Sequence, residues 1–147
     1  MAIFQNLSFH RAEKHRGEHG NTVTDALKVV IPATAEVGDV IEVDTGPRDL
    51  TYTSIKLQRE GLTAGLTVDV GVRANIGEFE DATYFAAASP LTADGTTELL
   101  PNGPAYVLDA DNRKCEHVLY VTLRGTVTPG ESFFLTSEKI AHGAPAG

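Results

Sequence analysis

Two segments of this chain alternate apolar and polar residues so regularly that they restrict it to a β fold. Over residues 53–58, Thr, Ile and Leu alternate with Ser, Lys and Gln, and over residues 66–73, Leu and Val alternate with Thr, Asp, Gly and Arg. Successive side chains on a strand point to opposite faces, so each segment has one buried and one solvent-facing side. Residues 60–65 join the segments through a short connection bracketed by glycines, which predicts an antiparallel hairpin.

Further strand patterns extend the β prediction over most of residues 27–140. Apolar segments at residues 29–31, 40–44 and 105–108 predict strands, several of them next to proline or glycine turn signals. Residues 119–124 and 133–136 flank Pro129-Gly130 and predict a terminal hairpin. The predicted fold class is all-β, mainly an antiparallel β-sandwich or a small barrel, and the sequence leaves these two alternatives open.

One segment predicts a short helix instead. Asp81 can cap the amides of a first helical turn, and Pro90 prevents the helix from continuing. A helix of about two turns is marginal by itself. We therefore expect Tyr84 and Phe85 to hold it by packing against the sheets.

The first 25 residues show neither a helical nor a strand periodicity of apolar residues, and they are predicted to form an extended arm. Their apolar groups form one small patch, made of Ile3, Phe4, Leu7 and Phe9. Ordering backbone costs about 1–2 kcal/mol per residue, so this patch alone cannot stabilise the arm. We expect the arm to fold only against the body or a partner, or else to be disordered.

Composition places the chain among single soluble domains. Its 147 residues suffice to bury roughly 68–70% of the unfolded surface in one core. We therefore divide the chain into an arm (1–25), a β-rich domain (26–140) and a flexible tail (141–147). The net charge of −8 disfavours a nucleic-acid partner. No apolar stretch approaches the ~20 residues of a membrane span, and the single cysteine cannot form an intramolecular disulfide.

Three groups of residues have a superficial likeness to chemical sites. The arm carries His10, His15 and His19, which are of a type that binds zinc, but no predicted strand or helix holds them. The acidic turn that starts at Asp109 lacks the glycine and glutamate of a calcium loop. Cys115 and His117 would share a strand face without a third group to orient the imidazole. Because nucleotide-binding glycine motifs are also missing, we expect no enzymatic activity and no cofactor or metal.

The order of strands and turns resembles that of small virion proteins of tailed bacteriophages, in particular capsid decoration (cement) proteins. The likeness rests on the strand 66–72, the acidic start of the segment 81–88, the Pro- and Gly-containing stretch 90–95, the strand 118–123 and the turn 125–130. It covers residues 50–137, and more loosely 27–140, and contains no catalytic motif.

This resemblance implies a structural protein made in the host cytoplasm and located on the capsid exterior. Its partner would be the major capsid protein, with homo-oligomers (dimers or trimers) expected and neither nucleic acid nor membrane bound. The arm would provide the partner-binding residues, namely Ile3, Phe4, Leu7, Phe9, His10 and Arg11. The alternatives are a head-to-tail connector or tail accessory protein and, from a different class, a metal- or ligand-binding enzyme.

Overall fold

The computed structural model describes residues 2–5, 22–46, 50–60, 65–74, 80–91, 96–100, 105–106 and 117–141. Within these ranges every regular element is a strand, so they contain no helix long and apolar enough to cross a membrane. The strands are β1 (Ile3–Gln5), β2 (Thr22–Val30), β3 (Val40–Gly46), β4 (Leu50–Glu60), β5 (Leu66–Ala74), β6 (Glu80–Pro90), β7 (Thr96–Glu98), β8 (Ala105–Tyr106), β9 (His117–Gly125) and β10 (Ser132–Ala141). The predicted all-β class is confirmed.

The strands form two hydrogen-bonded sheets that share one apolar core. Sheet A has the order β1-β3-β9-β5-β6, and sheet B has the order β2-β10-β4-β7 with β8 also paired to β4. Leu119, Val121 and Leu123 of sheet A lie in the same buried cluster as Phe133 and Leu135 of sheet B. Two separate layers around a shared core favour the sandwich alternative over the small barrel.

Neither predicted hairpin forms, although the strands themselves do. β4 pairs with β10 in sheet B, whereas β5 pairs with β9 and β6 in sheet A. β9 and β10 are divided in the same way, one in each sheet. The chain after a strand can either turn back and pair with that strand or cross to the other sheet. Both connections leave the same alternation of apolar and polar residues in the sequence. The pattern therefore identified the inward faces correctly but could not identify the pairing partner.

The predicted helix at residues 81–88 is wrong, because this segment is part of β6. Asp81 does cap a local turn, since its Oδ1 accepts a hydrogen bond from the amide of Thr83 at 3.0 Å. That turn lies in a wide bulge of the strand, where the pairing with β5 moves from Val72↔Asp81 to Val70↔Ala86. A cap followed by alanines is compatible with either structure, and pairing with β5 decided the outcome.

The bulge of β6 lies directly over Gly71 of β5. A Cβ atom on Gly71 would be 2.5 Å from the carbonyl carbon of Ala82 and closer still to the carbonyl oxygen of Asp81. Real Cβ atoms do not approach backbone this closely, so the bulge requires glycine at this position.

Both ends of the predicted arm contribute strands to the body. β1 pairs in parallel with β3, with Ile3 opposite Val40. Next to this pair, the amide of Ala2 donates to Oδ1 of Asp39 at 2.9 Å. The amides of Ala2 and Glu36 hold the pKa of the Asp39 carboxyl below its usual value. Residues 6–21 of the predicted arm and 142–147 of the predicted tail lie outside the described residues, and the domain boundaries at residues 25 and 141 stay predictions.

Candidate interaction surface

A groove of about 460 Å³ crosses the outer face of sheet A, and all five strands of that sheet contribute to it. Its floor is formed by Val40, Tyr120 and Thr122. These positions alternate with the core residues of β3 and β9, which is why they face away from sheet B. The side of the groove next to β1 carries Ile3, and the side next to β6 carries Glu80.

Tyr120 connects the floor of the groove to β6. Its strand partner on β5 is Gly71, and the bulge of β6 lies over that glycine, which brings β6 within reach of the tyrosine. The hydroxyl of Tyr120 donates to Oε2 of Glu80 at 2.8 Å. Burial, and next the carboxylate of Glu80, raise the pKa of Tyr120 far above its ordinary value. The phenol therefore stays protonated as a fixed hydrogen-bond donor.

Two arginines carry positive charge on the groove, which also exposes the carboxylate of Glu80. Arg73 forms an ion pair with Glu42, and Nε of Arg124 lies 3.0 Å from Oδ2 of Asp69. The arginine side chains are 34% and 47% exposed, whereas their carboxylate partners are only 7% and 9% exposed. The face therefore presents guanidinium groups outward although the whole chain is acidic.

The arginines lie toward opposite ends of the groove. Arg73 is the strand partner of Val118, whereas Arg124 lies six positions further along β9. At about 3.3 Å per residue this separates their backbones by roughly 20 Å. Between them, the rim residue Ile3 keeps 61% of its surface exposed, as the most exposed large apolar residue in the described part of the chain. Exposed arginine is enriched in protein–protein interfaces, and an exposed apolar side chain such as Ile3 beside it fits a surface of that kind.

A second polar cluster is buried between the sheets at one end of the core. Tyr52, Ser137 and Lys139 come from sheet B, and Asp44 and His117 come from sheet A; all five are buried. The Tyr52 hydroxyl lies 3.0 Å from Nε2 of His117, and Nζ of Lys139 lies 3.3 Å from Oδ2 of Asp44. This cluster joins the two layers through polar contacts.

His117 is expected to make the protein acid-sensitive. Burial, together with the charge of Lys139, lowers the pKa of His117 from 6.5 to about 4. The unfolded chain therefore takes up this proton below pH 6.5, and the folded protein only near pH 4, so acidification favours unfolding. Stability should fall by about 2 kcal/mol between pH 7 and pH 5 because of this group. Denaturant unfolding at several pH values measures the effect.

The control for this prediction is His117→Gln, which keeps a polar side chain beside Tyr52 but cannot titrate. Its stability should depend less steeply on pH between 7 and 5 than that of the wild type. Equal slopes for the two proteins would show that His117 takes up its proton without cost in the folded state.

The structure places only part of the predicted site. Ile3 lines the groove and Phe4 packs against the core, whereas Leu7, Phe9, His10 and Arg11 lie outside the described residues. The histidines at 15 and 19, the acidic turn at 109–112 and Cys115 also lie outside them. The described residues contain no group of three or more His, Cys, Asp or Glu side chains able to hold a metal.

Sequence reasoning missed both polar sites. In the sequence, Arg73, Tyr120 and Arg124 alternate with the apolar residues of their strands, and nothing further distinguishes them. Lys139 offered a usable signal, because on β10 it continues the inward series of Phe133, Leu135 and Ser137. A charged residue at an inward position indicates a buried partner, but alternation alone does not say which residue that partner is.

Comparison with known proteins supports the fold. No protein-family model and no curated protein matches the sequence. A solved structure, the capsid of Ralstonia phage GP4, contains a chain that superposes on this one with a TM-score of 0.64 at 16% sequence identity. The superposition covers 97% of this chain and 100% of that one. At this level of identity the likeness establishes a shared fold.

Proposed function

We propose that this chain is a structural virion protein of a tailed bacteriophage that binds the capsid exterior and stabilises contacts between major capsid protein subunits. The observation that carries the proposal is the end-to-end fold likeness to a chain in the capsid of Ralstonia phage GP4, with 97% and 100% of the two chains covered. The strand and turn pattern of residues 50–137 supports the decoration role within that class.

The groove on sheet A is the surface proposed to contact the shell. It adjoins β1, one of the two described parts of the predicted arm, so this end of the arm and the groove belong to one continuous surface. An extended segment of the major capsid protein with carboxylates near Arg73 and Arg124 and an apolar side chain over Ile3 would match its chemistry. Guanidinium groups form paired hydrogen bonds with carboxylates, which gives such docking its geometry.

Multiple copies would strengthen this attachment. Each groove is small, so a single contact is expected to be weak. A homo-oligomer bound to neighbouring shell subunits would gain affinity by avidity without further contacts per copy. We propose a dimer or trimer for this reason.

The first test is the copy number relative to the major shell protein in purified particles from the source, measured by quantitative mass spectrometry. A ratio near one, or another simple large fraction, is expected for a decoration protein. A few copies per particle would indicate a head-to-tail connector or tail accessory protein instead. Absence from particles would overturn the assignment to the virion.

A matched pair of surface variants tests the docking face. Ile3→Asp places a charge on the groove, whereas Val30→Asp places one on sheet B at a residue that is 43% exposed. Because both side chains are exposed, neither change should unfold the protein. We expect Ile3→Asp to weaken binding to particles lacking this protein about tenfold or more, a loss of roughly 1.4 kcal/mol. Val30→Asp should bind normally, and the reverse ranking would move the docking face to sheet B.

A further inference from the structure

The buried pair of Asp44 and Lys139 brings a carboxylate and a primary amine together across the two sheets. Nζ of Lys139 lies 3.3 Å from Oδ2 of Asp44, and the two side chains are 2% and 4% exposed. The amine also lies 3.3 Å from Oγ of Ser137 and 5.9 Å from the centre of the Tyr52 ring. The reactive groups are thus adjacent and shielded from water.

Burial at such a site changes the relative free energies of two states of these side chains, the ion pair and the amide. In water, a carboxylate and an ammonium group are both stabilised by hydration, and amide formation between them is disfavoured. Burial removes that hydration from both ions, and their mutual attraction does not always compensate. An amide has no net charge and releases a water molecule to the solvent, so the low-polarity site favours it relative to the ions. Fixed proximity also raises the effective concentration of the amine by orders of magnitude.

We propose that Lys139 and Asp44 form an intramolecular isopeptide bond. The ammonium first gives a proton to the carboxylate, leaving a neutral amine and a carboxylic acid. The nitrogen lone pair then forms a bond to Cγ of Asp44, and the hydroxyl leaves from that carbon. The nitrogen then loses one of its two remaining protons. This proton combines with the departing hydroxyl to form water, and the amide keeps one N–H. Neither an oxidant nor a co-reactant is required.

Ser137 has the position of a proton relay in this step. Its hydroxyl lies within 3.3 Å of Nζ of Lys139 and is fully buried, so it can accept a proton from nitrogen while it donates its own. The product would bridge β3 and β10, which belong to different sheets, at positions 95 residues apart in the chain. A covalent bridge over so long a separation restricts the unfolded chain, as a disulfide does. This inference does not depend on the proposed virion function.

Intact-mass spectrometry of the folded, purified full chain tests the bond. We expect the major species to be lighter than its sequence by the mass of one water molecule. Tandem mass spectrometry of a digest should show one branched peptide that joins Asp44 to Lys139. A mass equal to that of the sequence, unchanged after incubation of the folded protein at neutral pH, would overturn the proposal.

Lys139→Arg is the control, because arginine keeps the positive charge and lacks the primary amine. Its mass should equal that of its sequence. Succinimide formation at Asp94-Gly95 also releases water, and a deficit that persists in Lys139→Arg would assign the loss there and contradict the bond. If this variant does not fold, the branched peptide of the wild-type chain decides alone, and its absence from a chain with the mass deficit counts against the bond.

Discussion

Replacing Asp44 with alanine should destabilise the protein by about 3–5 kcal/mol, the range observed when one partner of a buried ion pair is removed. The change leaves the 2% exposed amine of Lys139 without its carboxylate. In a cross-linked protein, the same change also removes the covalent bridge. Denaturant unfolding measures the loss of stability. The intact mass of the wild-type sample shows whether the reference protein contains the ion pair or the amide.

A double variant separates the net contribution of the pair to stability from the destabilisation caused by removing one partner alone. Asp44→Leu with Lys139→Met replaces both groups by apolar side chains, so neither position carries a buried charge. Replacing a whole buried pair in this way is often neutral or stabilising. We expect the double variant to recover most of the stability lost in Asp44→Ala if the native link is ionic. If the bond is an amide, the double variant should stay well below the wild type.

Gly71→Ala should destabilise the protein by about 3 kcal/mol, the upper part of the usual range for overpacking. The added Cβ would be 2.5 Å from the backbone of Ala82, so the bulge of β6 would have to move. The same bulge positions Glu80, which receives the hydrogen bond of Tyr120 on the groove. Thermal and denaturant unfolding measure the stability, and binding to particles measures the effect on the groove.

Gly130→Ala is the matched control for Gly71. Gly130 has a φ of +88° and no atom within 4 Å of an added Cβ, so alanine there meets backbone strain but no steric contact. That strain costs about 1–2 kcal/mol. A loss at Gly71 no larger than the loss at Gly130 would contradict the expected effect of the steric contact with the bulge.

The groove and the buried pair differ in how far their charges are exposed to water. Outward positions of sheet A carry Arg73 and Arg124, whose charges are partly exposed. Inward positions at one end of the core carry Asp44 and Lys139, whose charges are withdrawn from water. Changes at the two arginines should therefore alter binding and, because Glu42 and Asp69 are nearly buried, also lower stability, whereas changes in the buried pair should act mainly on stability.

The sequence by itself determined the β class, most strand positions and, for the clearly alternating strands, the side that faces the core. In residues 66–73 the inward Leu66, Val68, Val70 and Val72 are all buried, because a two-residue period is a local property of extended backbone. The assignment of Ile3 and Phe4 to a partner-binding arm stays a prediction, and the remaining residues of that assignment lie outside the described structure.

Only the tertiary structure decided which strands pair and which polar groups meet. β4 and β5 are consecutive yet lie in different sheets, and residues 81–88 became a bulged strand because β5 provided a partner. Asp44 and Lys139 are 95 residues apart, and alternation contains no information about such a distant neighbour. Strand pairing and buried contacts join residues that are distant in sequence, and their free energies exceed local preferences, so they appear only when the layers are assembled.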